Sequence, residues 1–200
     1  MASTFVNNLR LEEMTTGEQA GTWGTKTNTN LELIGEALGF ATIQFGSDAD
    51  ATETVADGLS DSARSLFIKV TSSGNLTATR TLTIAPNDMK RVHIIENATS
   101  GSQSIAISQG GGADVTILNG QTKAVYLDGG GSSAAVVDAF VDLNLGGQTI
   151  VDDIEVTDDA RIGDNLHFFS DSAVLSFGAD SDTTLTHTDG TGLTLNSTNK

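Results

Sequence analysis

The sequence predicts a mainly β protein in three parts: a short N-terminal helical anchor, a compact β-sandwich or jelly-roll-like domain, and an intertwined trimeric β shaft. Three observations predict it. Val, Ile and Leu recur in short alternating runs separated by Gly, Asn, Asp, Ser and Thr, which is the period of half-buried strands. Aromatic residues make up only 5% of the 200 residues, too few for one large packed core. Helical periodicity shows itself once, near the N-terminus.

That helix falls within residues 1–45, read as an anchoring segment. Thr29 and Glu32 have the spacing of a capping box, a hydroxyl at the N-cap and a carboxylate three residues on. Leu31, Ile34, Ala37 and Leu38 then recur at helical spacing, and Gly39 stands where a C-terminal cap belongs. So short a helix is marginal alone in water, so its apolar stripe needs a cover. Phe40 and Ile43 follow directly and begin a strand. Residues 46–62, GSDADATETVADGLSDS, are acidic and poor in large apolar side chains; they read as a linker or solvated loop. Asp48 and Asp50 lack the remaining spaced oxygen ligands of a calcium loop.

Residues 63–141 read as the β domain. Its strands are LFIKV (66–70), TLTI (81–84), RVHII (91–95), SIAIS (104–108), DVTIL (114–118) and KAVYL (123–127). Asn119-Gly120 is a tight-turn dipeptide. The regular spacing of strands and turns points to a sandwich or jelly-roll-like barrel. Residues 142–200 change texture again, with very short strands carrying one or two apolar residues each. A single chain of this kind buries little, whereas three chains around one axis share a core. Val156, Ile162, Leu166, Leu175, Phe177, Leu185 and Leu193 are the candidate shaft core. The pattern reaches Asn199-Lys200 uncapped, so a polypeptide that continues is expected.

Charge and composition narrow the function classes. The formal net charge is -16, from 26 acidic and 10 basic residues, which repels nucleic acid and anionic membranes. There is no cysteine, which excludes disulfides, thiolate zinc sites and thiol catalysis. The N-terminal stretch MASTFVNNLRLEEM lacks the apolar region of a secretory signal, and no apolar run approaches a membrane span. The protein is thus expected to assemble in the cytoplasm of the producing cell.

No catalytic constellation emerges, and no cofactor is expected. His93, His167 and His187 are the three histidines, none with a second at ligand spacing. His93 alternates within an apolar strand as a structural residue does. His187 would hold an ion only by meeting its own copies on a three-fold axis. Asp152-Asp153 and Asp158-Asp159 are adjacent pairs, which a strand points to opposite faces, unsuited to joint work on one bond. The glycine triplets 110–112 and 129–131 lack the Lys-Ser/Thr and following helix of a phosphate loop and read as turns. Trp23, the single tryptophan, sits in Gly21-Thr22-Trp23-Gly24 and suits either an interface anchor or the plug of a small local core.

The order of segments resembles the N-terminal part of a tailed-bacteriophage tail fibre, of the kind found in phages of marine bacteria and cyanobacteria. Three stretches carry the likeness: TFVNNLRLEEMTTGEQAGTWGTKTNTNLELIGEAL (4–38), the region from TATRTLTIAPND (77–88) through RVHIIENATSGSQSIAISQGGGADVTILNGQTKAVYLDGGG (91–131), and SFGADSDTTLTHTDGTGLTLNSTNK (176–200). The resemblance implies a homotrimeric structural protein of the virion, located in the tail. Its N-terminal region would dock to a tail adaptor, nozzle or baseplate protein through Phe5, Trp23, Leu31, Ile34 and Leu38, and a distal region would recognise the host. The alternatives are a capsid- or neck-attached fibre or decoration protein, and a carbohydrate-binding β module using Tyr126 and Phe140. A polysaccharide-degrading tailspike would need a carboxylate pair in a groove, which these residues do not supply.

Overall fold

The computed structural model describes residues 3–141 and 143, then 154, 156, 160, 174–177, 183–188, 190 and 192–197. The chain divides into two compact units, Met1–Asn144 and Leu145–Lys200.

Among the described residues, the first unit holds one α-helix, α1 (Trp23–Ala37), two single-turn 3-10 helices (Ser62–Arg64 and Gly131–Ser133) and nine strands: β1 (Phe40–Phe45), β2 (Ala51–Thr54), β3 (Phe67–Ser72), β4 (Arg80–Ala85), β5 (Lys90–Asn97), β6 (Ile105–Ser108), β7 (Val115–Ile117), β8 (Thr122–Asp128) and β9 (Val136–Asp138). The five-stranded sheet has the order β1-β3-β5-β8-β9, and the four-stranded sheet β2-β4-β6-β7. From β1 to β6 the chain alternates between the sheets, and each return lays a strand parallel to the previous one. Phe40, Phe67 and Ile94 are aligned across three strands, as are Ile43, Val70 and Asn97, at one constant interval in sequence. The chain is therefore wound as a short two-sheeted coil. β7, β8 and β9 then close it with antiparallel pairings.

Both sheets turn their alternating apolar residues to one core. Ile68, Val70 and Ile95 come from the five-stranded sheet, and Leu82, Ile84 and Ile107 from the four-stranded one, all essentially inaccessible to solvent. Burying each such side chain stabilises the fold by roughly 1.5–3 kcal/mol. The two-layer arrangement is that of a sandwich. A jelly roll is antiparallel throughout, and the parallel winding from β1 to β6 departs from it.

All six strands anticipated between residues 66 and 127 are present within a residue or two of their expected bounds. Residues 46–62, read as a linker, belong to the fold instead. Ala51–Thr54 form β2 beside β4, and Val55 is buried in the core. Their acidity has structural partners. Asp48 accepts hydrogen bonds from Thr77 and from Arg80 Nε at 2.7 Å, and Asp50 accepts one from the Thr81 backbone N–H at 2.9 Å. The boundary placed at residue 45 likewise falls inside the unit, because β1 pairs along its whole length with β3.

A buried guanidinium ties the N-terminal segment to this coil. Arg64, fully inaccessible, donates to the carbonyl oxygens of Leu9, of Ala56 at 2.6 Å and of Leu59 at 2.9 Å, and pairs with Asp61 at 3.0 Å. Arg10 adds an ion pair to Asp57 at 2.7 Å. Hydrophobic periodicity carries no trace of such a charged staple.

Among the described residues, the second unit contributes three antiparallel strands in chain order, β10 (Val174–Phe177), β11 (Thr183–Thr188) and β12 (Gly192–Ser197). Leu175, Leu185 and Leu195 share one cross-strand row, Phe177 stands opposite Thr183, and His187 opposite Leu193.

Candidate attachment surface

The helix begins earlier than its sequence signals indicate. Thr22 is the N-cap residue and Thr29 lies inside the helix, so the Thr29–Glu32 capping box does not form. A tight turn sets the true start: the backbone N–H groups of Thr22 and Trp23 both donate to the Gln19 carbonyl, at 2.8 and 2.9 Å. The reason the helix runs through Asn28-Thr29-Asn30 is tertiary. Asparagine disfavours a helix interior because its amide competes for local backbone groups. The Asn30 amide is engaged elsewhere, donating to the Glu12 carbonyl at 2.9 Å and accepting from the Glu12 N–H at 3.0 Å. The Glu12 carboxylate is buried beside it. It pairs with Lys26 at 2.9 Å and accepts from Gln19 at 2.9 Å. The hydrogen bond from Lys26 holds the Glu12 pKa below the usual carboxylate range. At the other end, the Gly39 N–H closes on the Glu36 carbonyl at 2.9 Å. A Cβ on Gly39 would stand 3.2 Å from that oxygen.

These contacts fix the rotation of α1. Leu33 and Ala37 are buried on the side that also presents Lys26 and Asn30 to Glu12. Ala37 therefore leaves the stripe in which sequence spacing had put it. Leu31, Ile34 and Leu38, three and four residues apart, share another side with Trp23 two turns earlier. All four are exposed, Trp23 at 65% and Leu38 at 74%. Trp23 is thus no plug of a local core. The structure gathers four of the five residues expected at an anchoring surface. Phe5, the fifth, is half-buried and lies against Gly58, where a Cβ would meet its ring at 2.7 Å. It serves the docking of the N-terminal segment onto the unit.

The remaining candidates have structural partners. His93 is fully buried, and its Nδ1 lies 2.9 Å from the Ser65 carbonyl. Among the described residues, Nε2 has no hydrogen-bond partner. Burial, with nearby Arg91 adding repulsion, pushes its pKa down to about 4. The glycine triplets pack on each other's loops: Gly111 N–H donates to the Ser132 carbonyl at 2.9 Å and Gly112 N–H to that of Ala134 at 3.0 Å. Asn119-Gly120 forms a turn closed by Gln121 N–H on the Leu118 carbonyl at 3.0 Å, with Gly120 at φ +77, but it joins the two sheets rather than making a hairpin. Asn97, the first residue of Asn97-Ala98-Thr99 at the end of β5, is buried. Its amide donates to the carbonyls of Gln103 and Ile117, both at 3.0 Å, and accepts from the Thr99 hydroxyl at 2.7 Å.

Tyr126 lines a shallow cleft of about 540 Å³ with Lys90, Val92 and Asp128, whereas Phe140 does not line it. Among the described residues, no group of three or more His, Asp or Glu is placed to hold a metal ion, and no helix is long and apolar enough to cross a membrane.

Of the candidate shaft residues, Leu175, Phe177, Leu185 and Leu193 fall on the three strands of the second unit. Leu175 stands opposite Leu185 in the pairing register, and Leu175 is exposed. Val156 is exposed and outside any strand. Ile162 and Leu166, with His167 and the paired aspartates, lie outside the described residues. No family model, curated protein or solved structure matches the chain.

Proposed function

We propose that this chain is a structural attachment protein, the N-terminal part of a homotrimeric phage tail fibre located in the virion, with no catalytic role. The observation that carries the reading is the division of α1 into two faces. One is pinned to the unit by Leu33, Ala37, Asn30 and Lys26; the other presents Trp23, Leu31, Ile34 and Leu38 to solvent. An exposed apolar stripe on a held helix fits a groove in a partner, the helix-in-groove mode of recognition. The partner is a tail adaptor, nozzle or baseplate protein. The single tryptophan provides its central anchor, as buried Trp does at many interfaces.

The second unit supports the multichain part of the reading. Four of the proposed shaft residues, Leu175, Phe177, Leu185 and Leu193, fall on its three strands, and Leu175 is exposed on its face of the sheet. Copies of the chain would cover that face with one another's residues, in a shaft with a shared core. In a fibre so built, host recognition falls to a distal region. The glycan-binding alternative draws less support, because Phe140 does not line the cleft that Tyr126 lines.

The test is incorporation. Particles assembled with Trp23→Glu, or with Leu38→Glu, are purified and their content of this chain measured. Loss from the particles with an unchanged thermal melt of the purified chain is the expected result. Full incorporation of both variants would overturn docking through α1.

A further inference from the structure

The outer face of the five-stranded sheet carries two adjacent apolar rows that have no role in the core. The pairing register aligns Phe40, Phe67, Ile94 and Ala124 in one row, and Val92, Tyr126 and Val137 in the next. The rings of Phe40 and Phe67 stack with centroids 5.5 Å apart. Phe40 is 62% exposed, Val92 53% and Tyr126 41%. The opposite outer face of the unit differs in kind. It aligns Thr52 with Thr83, and Thr81 with Ala106 and Thr116, a surface of hydroxyls and small side chains, whereas Ser108, in line with Thr83, is buried.

Charge distinguishes what covers the apolar face. One opposite-charge pair borders the rows on each side: Lys69 with Glu96 at 3.1 Å on one, and Lys90 aligned opposite Asp128 on the other. The face is therefore electrically balanced on a chain whose net charge is -16. A basic partner would be drawn to an acidic surface, and a polyanion would be repelled from the molecule as a whole. Two folded copies of the same acidic chain repel each other least where both present a neutral patch, because exposed charges more than about 10 Å from the contact are largely screened. An apolar centre with a charged rim is also the usual anatomy of a protein interface.

We infer that the outer face of the five-stranded sheet is an interface between copies of this chain, with Val92 and Tyr126 near its centre and the stacked Phe40 and Phe67 toward the β1 edge. The inference rests on the multichain reading above and names the surface that the first unit contributes to it.

The natural absence of cysteine makes the test direct. Val92→Cys, Tyr126→Cys and, on the opposite sheet, Thr83→Cys each give the full chain a single thiol. Its mass in solution is measured by light scattering, and the rate of maleimide labelling is followed as protein concentration rises. The expected result is a multimer in which the Val92→Cys and Tyr126→Cys thiols label roughly tenfold more slowly once assembled, while the Thr83→Cys thiol is unaffected. A multimer whose three thiols label alike would overturn this interface and leave the multichain reading standing. A monomer at every concentration would overturn both. Protection that depends on added oligosaccharide, and not on protein concentration, would overturn the interface and assign the face to glycan binding.

Discussion

Asn30 and Glu12 exchange two hydrogen bonds, the Asn30 amide closing on both the carbonyl and the N–H of one backbone residue at 2.9 and 3.0 Å. This bidentate clasp joins the middle of α1 to the N-terminal segment and fixes which face of the helix meets solvent. Asn30→Ala strands both Glu12 backbone groups. The expected cost is about 2 kcal/mol, read as a lower Tm, with proteolysis directed first to residues before Gly39. Asn30→Asp retains the acceptor but sets a carboxylate oxygen against the Glu12 carbonyl and beside the Glu12 carboxylate, and is expected to destabilise at least as much as Asn30→Ala.

Arg64 holds three carbonyl oxygens and Asp61 together at a site without solvent access. Arg64→Leu leaves Asp61 without its cation and all three carbonyls short of a donor. Removing one partner of a buried pair costs about 3–5 kcal/mol. Denaturant titration is expected to show a destabilisation of that size, and Arg64→Lys, which lacks the planar fork of donors, is expected to recover only part of it.

His93 makes stability depend on pH in a definite direction. Its folded pKa is near 4, below the ordinary 6.5, so between these values the unfolded chain takes up a proton that the native protein refuses. Stability is full above pH 6.5, declines as pH falls through that window, and stops declining on this account below pH 4. The whole loss is about 3 kcal/mol. Chemical denaturation at several pH values is expected to trace it, and His93→Leu to flatten it. The lowered carboxylates act at lower pH. Glu12, Asp128 and Asp138 contribute stability above their ordinary pKa values and lose it as pH falls through their depressed ones.

Glycines separate into those with room and those without. Gly24 and Gly35 lie within α1 with nothing within 4 Å of an added Cβ. Alanine at either is expected to stabilise by about 0.5–1 kcal/mol, since it restricts the unfolded chain and suits a helix. At Gly112 the same Cβ would meet the carbonyl oxygens of Ser133 and Ala134 at 2.6 and 2.8 Å. Gly112→Ala is expected to destabilise by about 1–3 kcal/mol. Thermal melts of the three variants check the signs.

Much of the secondary structure is legible in the sequence, because alternation of Ile, Val and Leu with polar residues marks β3 to β8 directly. β2 is hidden: Ala51-Thr52-Glu53-Thr54 has a single small apolar residue, and its place in the sheet comes from pairing with β4. The winding is hidden for a different reason. Positions 40, 67 and 94 are evenly spaced, but they hold Phe, Phe and Ile, and positions 43, 70 and 97 hold Ile, Val and Asn. A repeat of place without a repeat of residue leaves little to compare. Alternation reports which face a side chain takes but not which strand it lies beside. At the candidate site, Trp23, Leu31, Ile34 and Leu38 follow from helical spacing. Ala37 and Phe5 do not, since the side of the helix that carries Ala37 is set by the bond from Asn30 to Glu12, 18 residues away, and Phe5 lies against Gly58.

Because β3 and β4 pair in the same parallel sense with the strands before and after them, that turn of the coil is a spacer flanked by unchanged ends. The helix precedes that turn in the chain and the antiparallel closure follows it. The molecule can therefore be lengthened in whole steps of about 4.8 Å, the distance between neighbouring strands. A chain with residues 67–93 duplicated in tandem is expected to fold, with small-angle scattering showing an elongated envelope. The same architecture makes unit length a heritable quantity, open to change by duplication or deletion of one segment without redesign of either terminus.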